Sequence, residues 1–180
     1  MPWVPVSLSN HDRPRAGLHR RWIHLLSMSW IALLLWAPIP AWATFAERVD
    51  YTLTNQSGKD FHGQDLHETS FAGAVARQAN FDGSDLHGAI FTQGAFAGAS
   101  FRGANLSDVL MDRVDFKGAD FSGALLQGVI ASGSSFAGAE VSDADFSEAI
   151  LDRTDQVDLC RRARGRHPVT GVETRLSLGC

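Results

Sequence analysis

A chain of 180 residues, 44% hydrophobic and 20% charged with a net charge of -4, has room for one globular domain plus accessory segments, and this composition excludes a chain disordered throughout. Eleven Phe against a single Tyr put aromatic rings where a hydroxyl would find no partner, which points to a uniform, dry core. The charge is uneven: residues 59 to 152 carry fourteen Asp and Glu against five Lys and Arg, whereas residues 153 to 180 carry six Arg against three acids, so an acidic body precedes a basic tail.

The N-terminus reads as a targeting segment. Arg13, Arg15, Arg20 and Arg21 precede an apolar run from Trp22 to Trp36, followed by Pro38, Pro40 and the small-residue pattern Ala41-Trp42-Ala43. These are the three regions of a secretory signal, with cleavage expected after Ala43, so that residues 1–43 are removed. A retained anchor is the other reading, but the apolar run of about 15 residues is shorter than the roughly 20 needed to span a bilayer. Arg20-Arg21-Trp22-Ile23 resembles a twin-arginine signal with His19 in place of the usual polar residue, which leaves the choice between the general secretory route and export of a folded chain open.

Residues 44–58 are expected to form an N-terminal cap ahead of a repeat region, 59–152, where the sequence is most informative. From Phe61 to Leu151 a large or apolar residue recurs at every fifth position without a slip of register, a period that neither helix nor strand has. The residue two places before each such centre is mostly Ala, from Ala74 to Ala149, and the residue two places after is often Gly, from Gly63 to Gly138. Each quintet thus supplies one large inward residue, one small inward residue and a corner.

Taken at intervals of twenty, the centres sort by type. Phe61, Phe81, Phe101 and Phe121 form one column, and Leu66, Leu86, Leu106 and Leu126 the next. The other two run Phe71, Phe91, Met111, Ala131, Leu151 and Ala76, Phe96, Phe116, Phe136, with substitutions toward the column ends. Like residues fall on like faces if four quintets make one coil, which predicts an all-β square prism of just under five coils with four internal ladders. Coils stacked at the strand spacing of about 4.8 Å make a rod roughly 23 Å tall. Its ends need covering, and the flanking segments stand where covers are needed.

The quintets Ala-Asn-Phe-Asp-Gly at 79–83, Ala-Asn-Leu-Ser-Asp at 104–108, Ala-Asp-Phe-Ser-Gly at 119–123 and Ala-Asp-Phe-Ser-Glu at 144–148 resemble the A(D/N)LXX consensus of the pentapeptide-repeat family, over more than half of the chain. The resemblance implies a right-handed quadrilateral β-helix. Tyr51-Thr52-Leu53-Thr54 before the repeats, and Leu159-Cys160, Pro168 to Arg175 and Gly179-Cys180 after them, are similar to the flanks of lumenal members from cyanobacterial and chloroplast thylakoids. That likeness implies a lumenal protein, with the periplasm as the alternative compartment.

Little in the sequence points to catalysis. Asp60, Asp65, Asp85, Asp115, Asp120 and Asp145 each stand just before a centre, a periodic feature of a convex rod that suits local hydrogen bonding at the corners better than acid–base chemistry in a cleft. His67 and His87 are one coil apart with His62 nearby. Two ligands without a third make a poor metal site, so no metal and no cofactor is expected. Ser132, Ser134 and Ser135 have no neighbouring His, and Gly spaced by five builds no phosphate loop. In the tail, 153–180, the only two cysteines, Cys160 and Cys180, are expected to pair in an oxidising compartment and close a cap over the last coil. The reading is an exported, non-enzymatic module for protein interaction or scaffolding, with an unidentified protein partner, no nucleic acid and no membrane span after cleavage. A homo-oligomer stays open. The alternative is an acidic DNA mimic that binds a type II topoisomerase, which the excess of negative charge on the repeats supports and export opposes.

Overall fold

A period of five forces the chain to turn before any strand can lengthen, and each face of the coil is therefore only a few residues wide. The computed structural model describes residues 49–180; the expected signal segment 1–43 and its cleavage residues Ala41 and Ala43 lie outside them. From Asp50 onward, the residue just before each centre forms an isolated parallel bridge with the residue twenty positions on, from Asp50 with Ser70 through Ile130 with Ile150. The backbone repeats the same contacts in every coil. Phe81 donates its N–H to the Ser100 carbonyl at 2.7 Å, Gly83 to Arg102 at 2.9 Å, and Ser100 returns one to Ala79 at 2.9 Å. Within the quintet the N–H of Ser84 closes the corner onto the Phe81 carbonyl at 3.1 Å. Backbone polar groups are thereby satisfied between coils, as burial requires.

The corner is left-handed two residues after each centre. Glycine suits it, but Leu53, Glu68, Gln78, Gln93, Asp108, Arg113, Asp143 and Glu148 adopt the same conformation, with φ between 52° and 61°. Coil closure overrides the intrinsic preference of these eight residues.

Inside the rod Phe61, Phe81, Phe101 and Phe121 stack face to face, with centroids 4.8 to 5.0 Å apart and ring planes within 7° of parallel. The column Leu66, Leu86, Leu106, Leu126 is buried beside it. Met111 and Ala131 are smaller than the Phe residues below them for a local reason: Val109, Val114 and Val129 fill the neighbouring small slots, and all five side chains are buried. The volume is exchanged within a coil rather than lost toward the column's end. Gly94 shows the converse exchange. It occupies a slot that is elsewhere mostly Ala because Phe91 and Phe96 meet in the same coil at 4.6 Å, and a Cβ on Gly94 would clash with the Phe96 ring.

The expected boundary at residue 59 is placed too late. Asp50 and Asn55 already bridge to Ser70 and Val75, and Tyr51 stacks on Phe71 at 4.8 Å as a further centre. The polar Gln56 at the next centre position hid this quintet from a reading based on large apolar residues. Backbone pairing tolerates it there.

After Ile150 the coil gives way to helix α1, Arg153–Arg162, a hairpin closed by an antiparallel bridge between Arg166 and Glu173, and the short helix α2, Thr174–Ser177. Leu159, Ala163 and Leu178 join the hydrophobic core. The segment also takes up N–H groups that the last coil offers to a missing neighbour. Gly133 donates to the Asp152 carboxylate at 2.8 Å, Phe136 to Asp155 at 3.4 Å, Asp143 to the Arg164 carbonyl at 2.9 Å and Phe146 to the Ser177 hydroxyl at 2.9 Å. This is the edge protection that an open stack needs. Cys160 and Cys180 are joined in a disulfide.

Candidate functional site

With the large side chains turned inward, the bridge residues form the outer surface, in four rows that run along the rod. One is Asn55, Val75, Ala95, Asp115, Ser135; the next is Asp60, Asn80, Ser100, Asp120, Glu140; a third is Asp65, Asp85, Asn105, Leu125, Asp145. The fourth begins with Asp50 and Ser70 and then continues as Ile90, Leu110, Ile130 and Ile150. Ile90, Leu110 and Ile150 are 36%, 38% and 55% exposed and Ile130 is half-buried, so the row is aliphatic over four coils and exposed at three of them. Attention to the inward period alone passed over it. Reading the residue before each centre at intervals of twenty would have found it.

The aspartates fix their own corners. Asp60, Asp85, Asp115, Asp120 and Asp145 each accept the N–H of the residue two places on, at 2.9 to 3.1 Å. Asp65 does so at 3.4 Å, and Asn80 and Asn105 match the pattern. These carboxyls are spaced along the rod as corner-fixing acceptors rather than converging on a cleft, and Asp145 is covered by the tail, whose Thr170 hydroxyl donates to it. Asp82 is different, because burial would raise its pKa but the Arg102 side chain, Ser100 and the Arg102 backbone outweigh that and hold it below the usual carboxylate range. Its partner Arg102 bonds it through Nε at 3.0 Å and a terminal nitrogen at 2.6 Å, both donors meeting the same carboxylate oxygen, while the other oxygen accepts the Arg102 backbone N–H at 3.0 Å.

His67 and His87 belong to different local networks. His67 Nδ1 lies 2.5 Å from Asp65, which lowers the aspartate's pKa, while His87 faces Ser107 at 3.3 Å and Asp108 at 3.8 Å. No cluster of three or more ligating side chains able to hold a metal occurs among the described residues. Ser134 is buried, accepts the Val114 N–H at 2.8 Å and donates to the Met111 carbonyl, so its hydroxyl serves the coil. In the tail Arg164, Arg166 and Arg175 line one cavity with Glu173. Arg166 is paired with Glu173 at 2.6 Å, Arg164 with Glu140 at 3.4 Å, and Arg162 with Asp158 at 2.7 Å. Much of the basic cluster is thus neutralised within the molecule.

Known proteins carry the same pattern. Family models described as pentapeptide repeats match residues 76–130 and 115–153. The thylakoid lumenal protein TL20.3 of Arabidopsis thaliana is 54% identical over 37 residues, which is 21% of this chain and 13% of that protein. A crystal structure of a pentapeptide-repeat protein from the Arabidopsis thaliana thylakoid lumen is 36% identical, covering 70% of this chain and 88% of that one, with a TM-score of 0.52. HetL of the cyanobacterium Nostoc, a pentapeptide-repeat protein involved in regulating heterocyst differentiation, is 25% identical over 54% of this chain and 44% of its own, with a TM-score of 0.43. The repeat pattern and the lumenal relative, matched along most of its length, agree: this chain belongs to the pentapeptide-repeat family and folds as a right-handed β-helix.

Proposed function

We propose that the protein is an exported, non-enzymatic interaction or scaffolding module of the thylakoid lumen, a four-sided rod of about five coils that presents fixed rows of side chains to a protein partner. The observation that carries this reading is the unbroken ladder of bridges from Asp50 to Ile150. It commits the backbone and the large side chains to the rod itself and leaves four rigid outer rows for recognition, a preorganised surface that loses little entropy on binding. The lumenal origin of the 36%-identical relative supports the compartment, and so does the signal-like N-terminus with cleavage after Ala43. The duplex-mimic alternative draws on the acidic rod, but an aliphatic face is not what a surrogate for a uniformly charged polyphosphate requires.

The test is to isolate the native protein from fractionated membranes, determine its N-terminus by mass spectrometry, and cross-link it in the intact compartment. A chain beginning at Thr44 that is cross-linked to a defined lumenal protein is the expected result. Retention of residues 1–43 on a cytoplasmic protein, or a native chain that cross-links to nothing, overturns the reading.

A further inference from the structure

The aliphatic row Ile90, Leu110, Ile130, Ile150 is not required by the coil itself, because those positions point outward and the equivalent positions on the other faces are mostly polar, with Val75, Ala95 and Leu125 the apolar exceptions and no two large aliphatic residues in succession. Three coil spacings make it about 14 Å long, and it is one side chain wide. Carboxylates edge it at the corners: Asp108 and Glu148 on the side where the chain enters the face, Asp112 and Asp152 where it leaves. Asp112 and Asp152 are held there by the N–H groups of Ser132 and Gly133, at 3.0 and 2.8 Å. Two arginines stand at the leaving corners, Arg113 and Arg153, the latter bonded to the neutral Gln156 amide at 2.8 Å, and His87 lies 3.8 Å from Asp108; four acids against two arginines leave the face net negative.

Resting on the interaction reading above, we infer that this face docks a basic amphipathic helix of a protein partner, its apolar stripe laid along Ile90, Leu110, Ile130 and Ile150 and its flanking Lys or Arg meeting the acidic corners. The dimensions fit, since 14 Å is about nine residues of helix, two and a half turns, and a helix presents an apolar stripe along its length. The charge selects the occupant. A second copy laid face to face would add one net negative face to another, whereas cationic flanks complement the four carboxylates. Exposed aliphatic side chains rimmed by polar groups are the usual mark of such a site.

The experiment uses the protein as processed in the cell and three fluorescent 14-residue peptides, one of Leu and Lys with an amphipathic stripe, one of the same composition scrambled, and one of Leu and Glu with the stripe. Anisotropy should report binding of the striped Lys peptide at least tenfold tighter than of the other two. Leu110→Ser with Ile130→Ser should abolish that preference. Asp108→Asn with Glu148→Asn should weaken binding several-fold and flatten its salt dependence, while Asp115→Asn on another face should leave it unchanged. Matching melting curves show that each variant is folded, and Ile90→Ser with Ile150→Ser serves as a second disruption of the row.

Equal binding of the scrambled peptide, or by the Leu110→Ser/Ile130→Ser variant, reduces the effect to charge and overturns the site. Self-association of the wild type that the same variant abolishes assigns the face to a second copy instead. A native partner cross-linked equally by wild type and variant rejects this face while preserving the interaction reading, and the absence of any partner for either rejects both.

Discussion

Gly83 and Gln93 occupy the same corner position of their quintets and share a left-handed backbone, with φ of 63° and 61°. A Cβ at Gly83 would meet nothing within 4 Å, so Gly83→Ala isolates the conformational term and should lower stability by about 1 kcal/mol. The reverse change, Gln93→Gly, relieves the strain at the cost of a more flexible unfolded chain and should be stabilising by up to about 1 kcal/mol. Paired denaturant titrations decide the sign, and a loss at Gln93→Gly would mean that the corner is held by side-chain contacts rather than backbone conformation. A second residue-scale test concerns Asp145, which is fully buried and accepts from Ser147 at 2.9 Å, Gln127 at 2.9 Å and Thr170 at 2.7 Å. Burial pushes its pKa up, but these donors outweigh it and leave the carboxyl below its ordinary value. Its contribution is therefore complete above the unfolded carboxylate pKa and is lost as pH falls through the depressed folded value. Asp145→Asn should cost roughly 1–3 kcal/mol at neutral pH and approach the wild type in acid. Parallel stability curves from pH 7 downward would refute this linkage.

At the scale of the quintet and its column, the core tests how closely size is matched to place. Phe101 is flanked by parallel rings at 5.0 Å on both sides, so Phe101→Ala should leave a cavity inside the column and cost about 3–5 kcal/mol. Gly94→Ala adds only a methyl group, at a slot where Ala is the common residue, yet should cost about 1–3 kcal/mol because the Phe96 ring stands in the way. If melting shows Gly94→Ala to be neutral or stabilising, the fit inferred between Phe91 and Phe96 is wrong. These two residues also mark how far the sequence could be read. The position of Phe101 in a stacked column followed from the twenty-residue period alone. The need for Gly94 did not, because it depends on two rings meeting within one coil, a contact that a period counted along one column cannot register. The aliphatic row escaped for a related reason, since the residue before the centre mixes polar and apolar types along the chain and shows its order only when grouped by face. Tyr51 was passed over because Gln56 interrupts the apolar register while the backbone ladder continues beneath it.

Across the whole molecule, the stack and its cover differ in how their stability is built. Each inner coil is paired on both sides, whereas the last coil depends on donors and acceptors supplied by residues 152–177 and on the three apolar side chains Leu159, Ala163 and Leu178. The composition of the tail suggested a cover, but which N–H groups it satisfies followed only from its folded path. The Cys160–Cys180 bridge spans twenty residues and ties the start of the cover to its end. Closing a loop of this length is worth roughly 3 kcal/mol in the chain-entropy model. That stabilisation acts on the cover and on the coil beneath it, because in a solenoid stability is approximately a sum of neighbour terms. Reduction should therefore loosen residues 153–180 and leave the inner coils paired. Hydrogen exchange followed by mass spectrometry reads this directly: after reduction, peptides spanning 131–148 should exchange markedly faster, while those spanning 81–110 should keep their protection. Uniform acceleration along the rod would show instead that cover and coils open as one cooperative unit, and that the bridge stabilises the entire stack rather than its end.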